Sequence, residues 1–151
     1  MSAIRALRAV LIALESLVGL SLLTLVILTL LGYITLAVVE GNSMEPTLQT
    51  GDLVIVLKRV ATSDVSVGDV VVYRRGSTLI IHRVVMIEGS TFITKGDNNW
   101  VVDPPVNSEA VIGKVLEIGG RPLKVPLVGY LTLLLRYSIT SLTYLPVDRN
   151  L

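Results

Sequence analysis

Three side chains far apart in the sequence could make a nucleophile, a base and its support. Ser43 lies in Gly41-Asn42-Ser43-Met44-Glu45-Pro46-Thr47 and is a potential nucleophile. A serine hydroxyl is weak at neutral pH and needs a base beside it. Taken by itself, a serine in such a stretch reads more often as a turn or cap residue. His82 is the single histidine of the 151-residue chain. It sits in Leu79-Ile80-Ile81-His82-Arg83-Val84-Val85, where strand alternation puts Ile80, His82 and Val84 on one face. A lone histidine on an apolar face is usually a satisfied core residue, so His82 also has a plain structural reading. To act as a base it would need a third group that fixes its tautomer. The acidic candidates are Asp97 and Asp103, in Lys95-Gly96-Asp97-Asn98-Asn99-Trp100-Val101-Val102-Asp103. Asp97, between a glycine and two asparagines, is set for an Asx turn that uses its oxygens locally. Asp103 precedes Pro104, which favours an extended backbone and leaves its side chain free to reach elsewhere. Lys58 and Lys95 are rival bases. Spacing alone does not assemble these residues into a triad.

The elements that must position them fall into distinct stretches. The chain is 52% hydrophobic and 17% charged, with a mean hydropathy of +0.72. Soluble domains carry about 25% charged residues, so part of this chain belongs in lipid or in a dry interior. No charge interrupts Ser16 to Val39, a run of 24 residues, and a spanning helix needs about 20. The run is longer than the apolar core of a cleavable signal peptide and does not end in Ala-x-Ala. An uncleaved transmembrane helix over 16–39 is the expectation, after a short N-terminus at 1–15. Arg5 and Arg8 precede it, which puts the N-terminus in the cytoplasm and the rest on the other side.

From Gly41 to about Arg121 short β-branched runs alternate with turn residues. They are Leu53–Leu57, Val70–Tyr73, Leu79–Ile87, Thr91–Thr94 and Ala110–Ile118, separated by breakers such as Gly51-Asp52 and Gly96-Asp97. This pattern predicts a small antiparallel β domain over 40–121. Runs such as Val54-Ile55-Val56-Leu57 are apolar on both faces and need cover on both sides. The expected fold is therefore mainly β, with an N-terminal transmembrane helix and an apolar, helical C-terminal segment over 122–151. Arg136 interrupts that last segment. A mid-helix arginine in lipid costs at least about 2.5 kcal/mol, so the segment should pack on the domain or lie at the membrane interface, with a second full span as the alternative.

Composition also excludes some functions. The net charge is +1 and no Lys/Arg run exceeds two residues, so no nucleic-acid partner is expected. With one histidine and no cysteine, neither an ordinary zinc site nor a disulfide is expected.

Four segments, in order, resemble the motif boxes of the type I signal peptidases. They are Ser43-Met44-Glu45-Pro46-Thr47, Gly51-Asp52-Leu53-Val54, His82-Arg83-Val84, and Lys95-Gly96-Asp97-Asn98-Asn99 followed by Asp103. The bacterial branch pairs its serine with a lysine. The archaeal and endoplasmic reticulum branch has histidine there, and this chain resembles that branch. The resemblance implies Ser43 as nucleophile, His82 as general base, Asp103 as the orienting carboxylate and Asp97 as support. Met44 and Pro46 fall in the zone that holds the substrate strand, with Gly51-Asp52 supporting the turn. Family members often carry two adjacent aspartates at the last position, and here the first is Val102.

On this resemblance the function expected is removal of N-terminal signal peptides from exported preproteins after small residues, without a cofactor. The implied partners are preprotein signal peptides and the lipid bilayer, with partner subunits or a secretion translocon as further candidates. The expected location is the cell membrane, single-pass with the β domain extracytoplasmic; the lumenal face of the endoplasmic reticulum is the alternative. Two rival readings are a serine/lysine dyad and a non-catalytic, membrane-tethered β module that binds exported chains or partner subunits.

Overall fold

The computed structural model describes residues 2–135. The expectations for 136–151, including the break at Arg136, lie outside the described residues. The chain divides into two compact units, one up to Ile34 and one from Thr35 onward.

The first unit is a single helix, α1 (Ser2–Leu30). Its stretch Ala3–Leu30 is 28 residues with mean hydropathy 2.4, long and apolar enough to cross a membrane. Four hydroxyls inside it bond back to helix carbonyls: Ser16 to Ile12, Ser21 to Val18, Thr24 to Leu20 and Thr29 to Leu25, at 2.8–2.9 Å. Each small polar group is thereby satisfied within the helix, as lipid requires. The helix starts earlier and stops sooner than the charge-free run suggested. Gly32, at φ 73°, ends it. The Tyr33 N–H reaches the Leu28 carbonyl and the Gly32 N–H the Thr29 carbonyl, both at 3.0 Å. This pair of bonds is a Schellman cap, which favours glycine at the left-handed position. The residues beyond it, Ile34-Thr35-Leu36-Ala37-Val38, are apolar but extended.

Those residues form β1 (Ile34–Val38). There follow β2 (Leu53–Leu57), β3 (Val70–Arg75), β4 (Thr78–Glu88) and β5 (Thr91–Lys95), then β6 (Val106–Asn107), β7 (Val111–Val115), β8 (Glu117–Ile118), β9 (Arg121–Pro122) and β10 (Lys124–Val125). One sheet runs in the order β1-β2-β7-β3-β4-β5-β6, with β10 also paired to β2, while β8 and β9 form a separate ribbon. The mainly β, antiparallel fold follows the expectation. The run Ala110–Ile118 is split at Leu116 into β7 and β8.

Two cores lie on opposite sides of β3. Val70 and Val72 join Val39, Met44, Leu48, Val54, Val56 and Val115 in one. Val71 and Tyr73 join Val65, Val84, Phe92 and Val106 in the other. Four consecutive buried residues in β3 thus need no polar face, because each neighbour serves a different core. Each fully buried valine contributes about 1.5–3 kcal/mol over an exposed one. In β2 only Val54 and Val56 are buried, and Leu53, Ile55 and Leu57 are half-buried.

The chain after β10 is fastened to the same unit. Residues 129–135 are helical. The Gly129 N–H donates to the Gly51 carbonyl at 2.9 Å. The Tyr130 ring lies where a Cβ on Gly51 would stand. Buried Asp52 accepts from Lys124 Nζ at 2.7 Å and from the Gln49 N–H at 2.9 Å. The Gly51-Asp52 pair therefore ties both the turn before β2 and the C-terminal segment to the sheet.

Candidate active site

Ser43 lies in the turn between β1 and β2. Met44 and Leu48 anchor that turn in the first core, and the Leu48 N–H donates to the Met44 carbonyl at 2.9 Å. The Met44 side chain is thus buried, while Pro46 is exposed. The loop after β5 holds the turn from outside. The Asn98 N–H donates to the Ser43 carbonyl at 2.8 Å, and its side-chain amide to the Asn42 carbonyl at 3.1 Å. Gly96 permits this approach, since a Cβ there would stand 2.6 Å from the Ser43 carbonyl oxygen. Among the described residues, the Ser43 and Met44 N–H groups donate to no backbone carbonyl.

His82, buried in β4, faces Ser43 with one ring nitrogen and Asp103 with the other. Ser43 Oγ is 3.1 Å from His82 Nε2, and His82 Nδ1 is 2.6 Å from Asp103 Oδ2. A carboxylate accepts only, so the neutral ring carries its proton on Nδ1. The Nε2 lone pair is then left for the serine hydroxyl. Ile80, His82 and Val84 share one face as alternation implied, since Ile80 and Val84 both pack in the second core.

Asp103 lies in the loop between β5 and β6, its N–H donating to the Thr94 carbonyl at 2.7 Å. Besides His82, its Oδ2 accepts from Thr94 Oγ1 at 2.7 Å and from the Tyr73 hydroxyl at 3.0 Å. Burial works to raise the pKa of this carboxyl. The hydrogen bonds from His82, Thr94 and Tyr73 outweigh it and hold the group below its ordinary value. Burial likewise pushes the Tyr73 phenol up, keeping it a donor. Arg75 reaches across the rim: Nη2 donates to the Tyr73 hydroxyl at 3.2 Å and to the Pro104 carbonyl at 3.3 Å, and Nη1 lies 3.9 Å from Asp103 Oδ1.

Asp97 is elsewhere. Its carboxylate takes a bidentate pair from Arg83, Nε to Oδ1 at 2.8 Å and Nη2 to Oδ2 at 2.7 Å. Arg83 Nη1 also donates to the Gly68 carbonyl at 2.6 Å. Burial would raise the Asp97 value, but the bonds from Arg83 and Thr47 win and lower it. The same pairing raises Arg83. Among the described residues, the Asp97 carboxylate is paired with Arg83 and not with the local backbone that an Asx turn would use. The turn is closed by backbone, Asn99 N–H to Gly96 carbonyl at 3.0 Å, and the carboxylate is taken by a guanidinium one strand away, a stronger, charge-assisted partner. Of the rival bases, Lys95 donates to the Asn99 carbonyl at 2.9 Å and Lys58 is exposed.

The structure thus brings Ser43, His82 and Asp103 together and sets Asp97 apart, with Met44 in the core beneath. Tyr73 and Thr94 were not singled out from the sequence, and Arg83 was named only within the His82-Arg83-Val84 motif, with no role. Strand period offered a signal for Thr94, which shares a face with apolar Phe92 and so is a polar residue aimed at a core.

An antiparallel β unit carrying a serine–histidine–aspartate relay has the form of a serine hydrolase. The Peptidase S24-like family matches residues 26–116. Fungal proteins named "Signal peptidase complex catalytic subunit SEC11" are similar to the chain. That of Colletotrichum graminicola is 38% identical over 109 residues, covering 66% of this chain and 63% of the relative. Those of Chaetomium globosum and Neurospora crassa are 34% identical over 114 residues and 37% over 108, with the same coverage. The chain spans about 63% of the length of these relatives. It belongs to the Peptidase S24-like family.

Proposed function

We propose that the chain is a membrane-anchored serine endopeptidase that removes signal peptides from exported preproteins after small residues. The observation that carries this reading is the continuous contact from Ser43 Oγ through the His82 ring to Asp103, at 3.1 and 2.6 Å. His82 Nε2 takes the Ser43 proton as Oγ attacks the scissile carbonyl. Asp103 stabilises the imidazolium that forms, and the N–H groups at Ser43 and Met44 stabilise the oxyanion. The imidazolium then protonates the leaving amine. Water, deprotonated by the same ring, releases the acyl group from Ser43.

A cavity of about 500 Å³ supports the substrate class. Its walls include Ala37, Val39, Leu79, Ile80 and Ile81, from the segments that immediately precede Ser43 and His82. Glu40, Ser77 and Thr78 line it too, so an extended peptide lying there would meet apolar side chains over part of its length. Small residues next to the scissile bond, the pattern that ends signal peptides, suit such walls. The helix Ala3–Leu30 supports the anchor, and only a short length of chain separates it from Ser43. The relatives' names, as catalytic subunits of a complex, support partner subunits for this chain too. Arg5 and Arg8 favour a cytoplasmic N-terminus with the β unit across the membrane, either outside the cell or in the lumen of the endoplasmic reticulum.

Purified protein in detergent should cut a synthetic preprotein at one bond, after a small residue at the end of the signal segment. N-terminal sequencing of the product reads the position. No cleavage, or cleavage scattered along the chain, would overturn this function.

A further inference from the structure

We propose that Tyr73 and Thr94 are positioning residues that clamp Asp103 for His82. This rests on the reading of Ser43, His82 and Asp103 given above. Both side chains are fully buried at 0% exposure, and both hydroxyls donate to the same carboxylate oxygen that receives His82 Nδ1. They come from the two strands that flank β4. Tyr73 on β3 is opposite Ile80, and Thr94 on β5 is opposite Val84, each two residues from His82 along β4. One strand repeat therefore puts Tyr73, His82 and Thr94 on one face. Thr94 Oγ1 is also 3.3 Å from the Tyr73 hydroxyl, so the two are in contact with each other.

The chemistry requires such a clamp. Asp103 must stay ionised when His82 becomes an imidazolium, or the proton is shared and the stabilisation falls. It must also keep one oxygen on Nδ1, or the ring turns and Nε2 leaves Ser43. Two hydroxyl donors on Oδ2 serve both ends: they stabilise the anion and fix which oxygen faces the ring. The charged and titratable groups that face Asp103 are His82 from β4 and Tyr73 and Arg75 from β3. Arg75 is the weaker partner, at 3.9 Å and with 41% of its side chain exposed.

The test uses Tyr73→Phe, Thr94→Val and Thr94→Ser in the full chain, with Ser43→Ala as a parallel control. Each hydroxyl-free variant should lose about 10- to 100-fold in kcat, the scale of one hydrogen bond to a charged group, with KM little changed. The double variant should lose less than the product of the two, because both donors share one oxygen. With a donor gone, Asp103 becomes a stronger acceptor for the imidazolium, so the acid limb of the rate profile moves to higher pH. Thr94→Ser, which keeps the hydroxyl, should restore both kcat and the profile. His82 is the single histidine, so its imidazole NMR signals report the same movement without turnover. A merely structural role would lower Tm and leave those signals and the profile in place. Folded Tyr73→Phe and Thr94→Val with kcat and pH profile within about twofold of wild type would overturn the clamp. Tyr73→Phe keeps the whole ring, so it decides alone if Thr94→Val does not fold. If Ser43→Ala remains active, the underlying reading of the site fails instead.

Discussion

Asp97 and Asp103 stand six residues apart and differ in what their oxygens touch. Asp103→Asn keeps the shape but removes the charge beside His82 Nδ1, and its amide N–H favours the wrong ring tautomer. It should give a folded protein whose kcat falls by up to about 10⁴-fold with little change in KM, read by steady-state kinetics. Asp97→Asn breaks the bidentate pair with Arg83, whose side chain is 24% exposed. It should cost about 1–3 kcal/mol of stability and only a modest part of kcat, read by thermal melts beside the kinetics. If Asp97→Asn were the folded, inactive one, the two roles would be exchanged.

The same pair sets an acid limit on stability. Asp97 is held below its ordinary value in the folded chain, so the unfolded chain binds that proton more readily. Its contribution is complete above the unfolded value of about 4 and is lost as pH falls through the lower, folded value. Melting curves of wild type and Asp97→Asn should therefore converge as pH drops below about 4. A constant gap down to pH 2 would contradict this. At this scale the motifs made Ser43, His82 and Asp103 legible. Tyr73 was not, because its hydroxyl finds Asp103 only through strand pairing across 30 residues of sequence.

Elements differ in whether they build the site or only the sheet, and two glycines separate these roles. A Cβ at Gly96 would press on the Ser43 carbonyl and on the Asn99 side chain, at 2.6 and 2.8 Å. Gly96→Ala should displace the turn that carries Ser43 and lower kcat by about 10²-fold per folded molecule, since a small misplacement of a nucleophile costs that much. A Cβ at Gly113 on β7 would meet the Leu57 carbonyl of β2 instead. Gly113→Ala should cost about 1–3 kcal/mol in a melt while the folded fraction keeps its kcat. Equal loss of kcat in both variants would mean that the loop after β5 has no special hold on the site. The strands β2 to β5 were legible because valine and isoleucine runs are punctuated by glycine turns. β1 was hidden inside an apolar run that also forms the helix, and Gly32 is its one local marker. The two-residue strands β6, β8, β9 and β10 are too short to show any period.

The whole molecule joins a helix fit for a bilayer to a β unit that carries the site. With Arg5 and Arg8 on the cytoplasmic side, the β unit should be exposed to protease added outside intact cells, or shielded inside sealed microsomes if the membrane is that of the endoplasmic reticulum. A tag on the N-terminus should show the opposite protection. Digestion of that tag under conditions that spare the β unit would invert the topology. The apolar run made the helix readable from sequence. The fastening of residues 129–135 to Gly51 was not, because it depends on a close ring-to-backbone approach that no periodicity encodes.

The most direct test of the Ser43–His82–Asp103 relay is the turnover of one synthetic preprotein by wild type and by Ser43→Ala, purified in the same detergent. The wild type should cleave. Ser43→Ala should melt at the same temperature and retain less than about a thousandth of the wild-type rate, because only a hydroxyl has been removed. A folded Ser43→Ala protein that retains more than that would contradict the assignment of Ser43 as nucleophile.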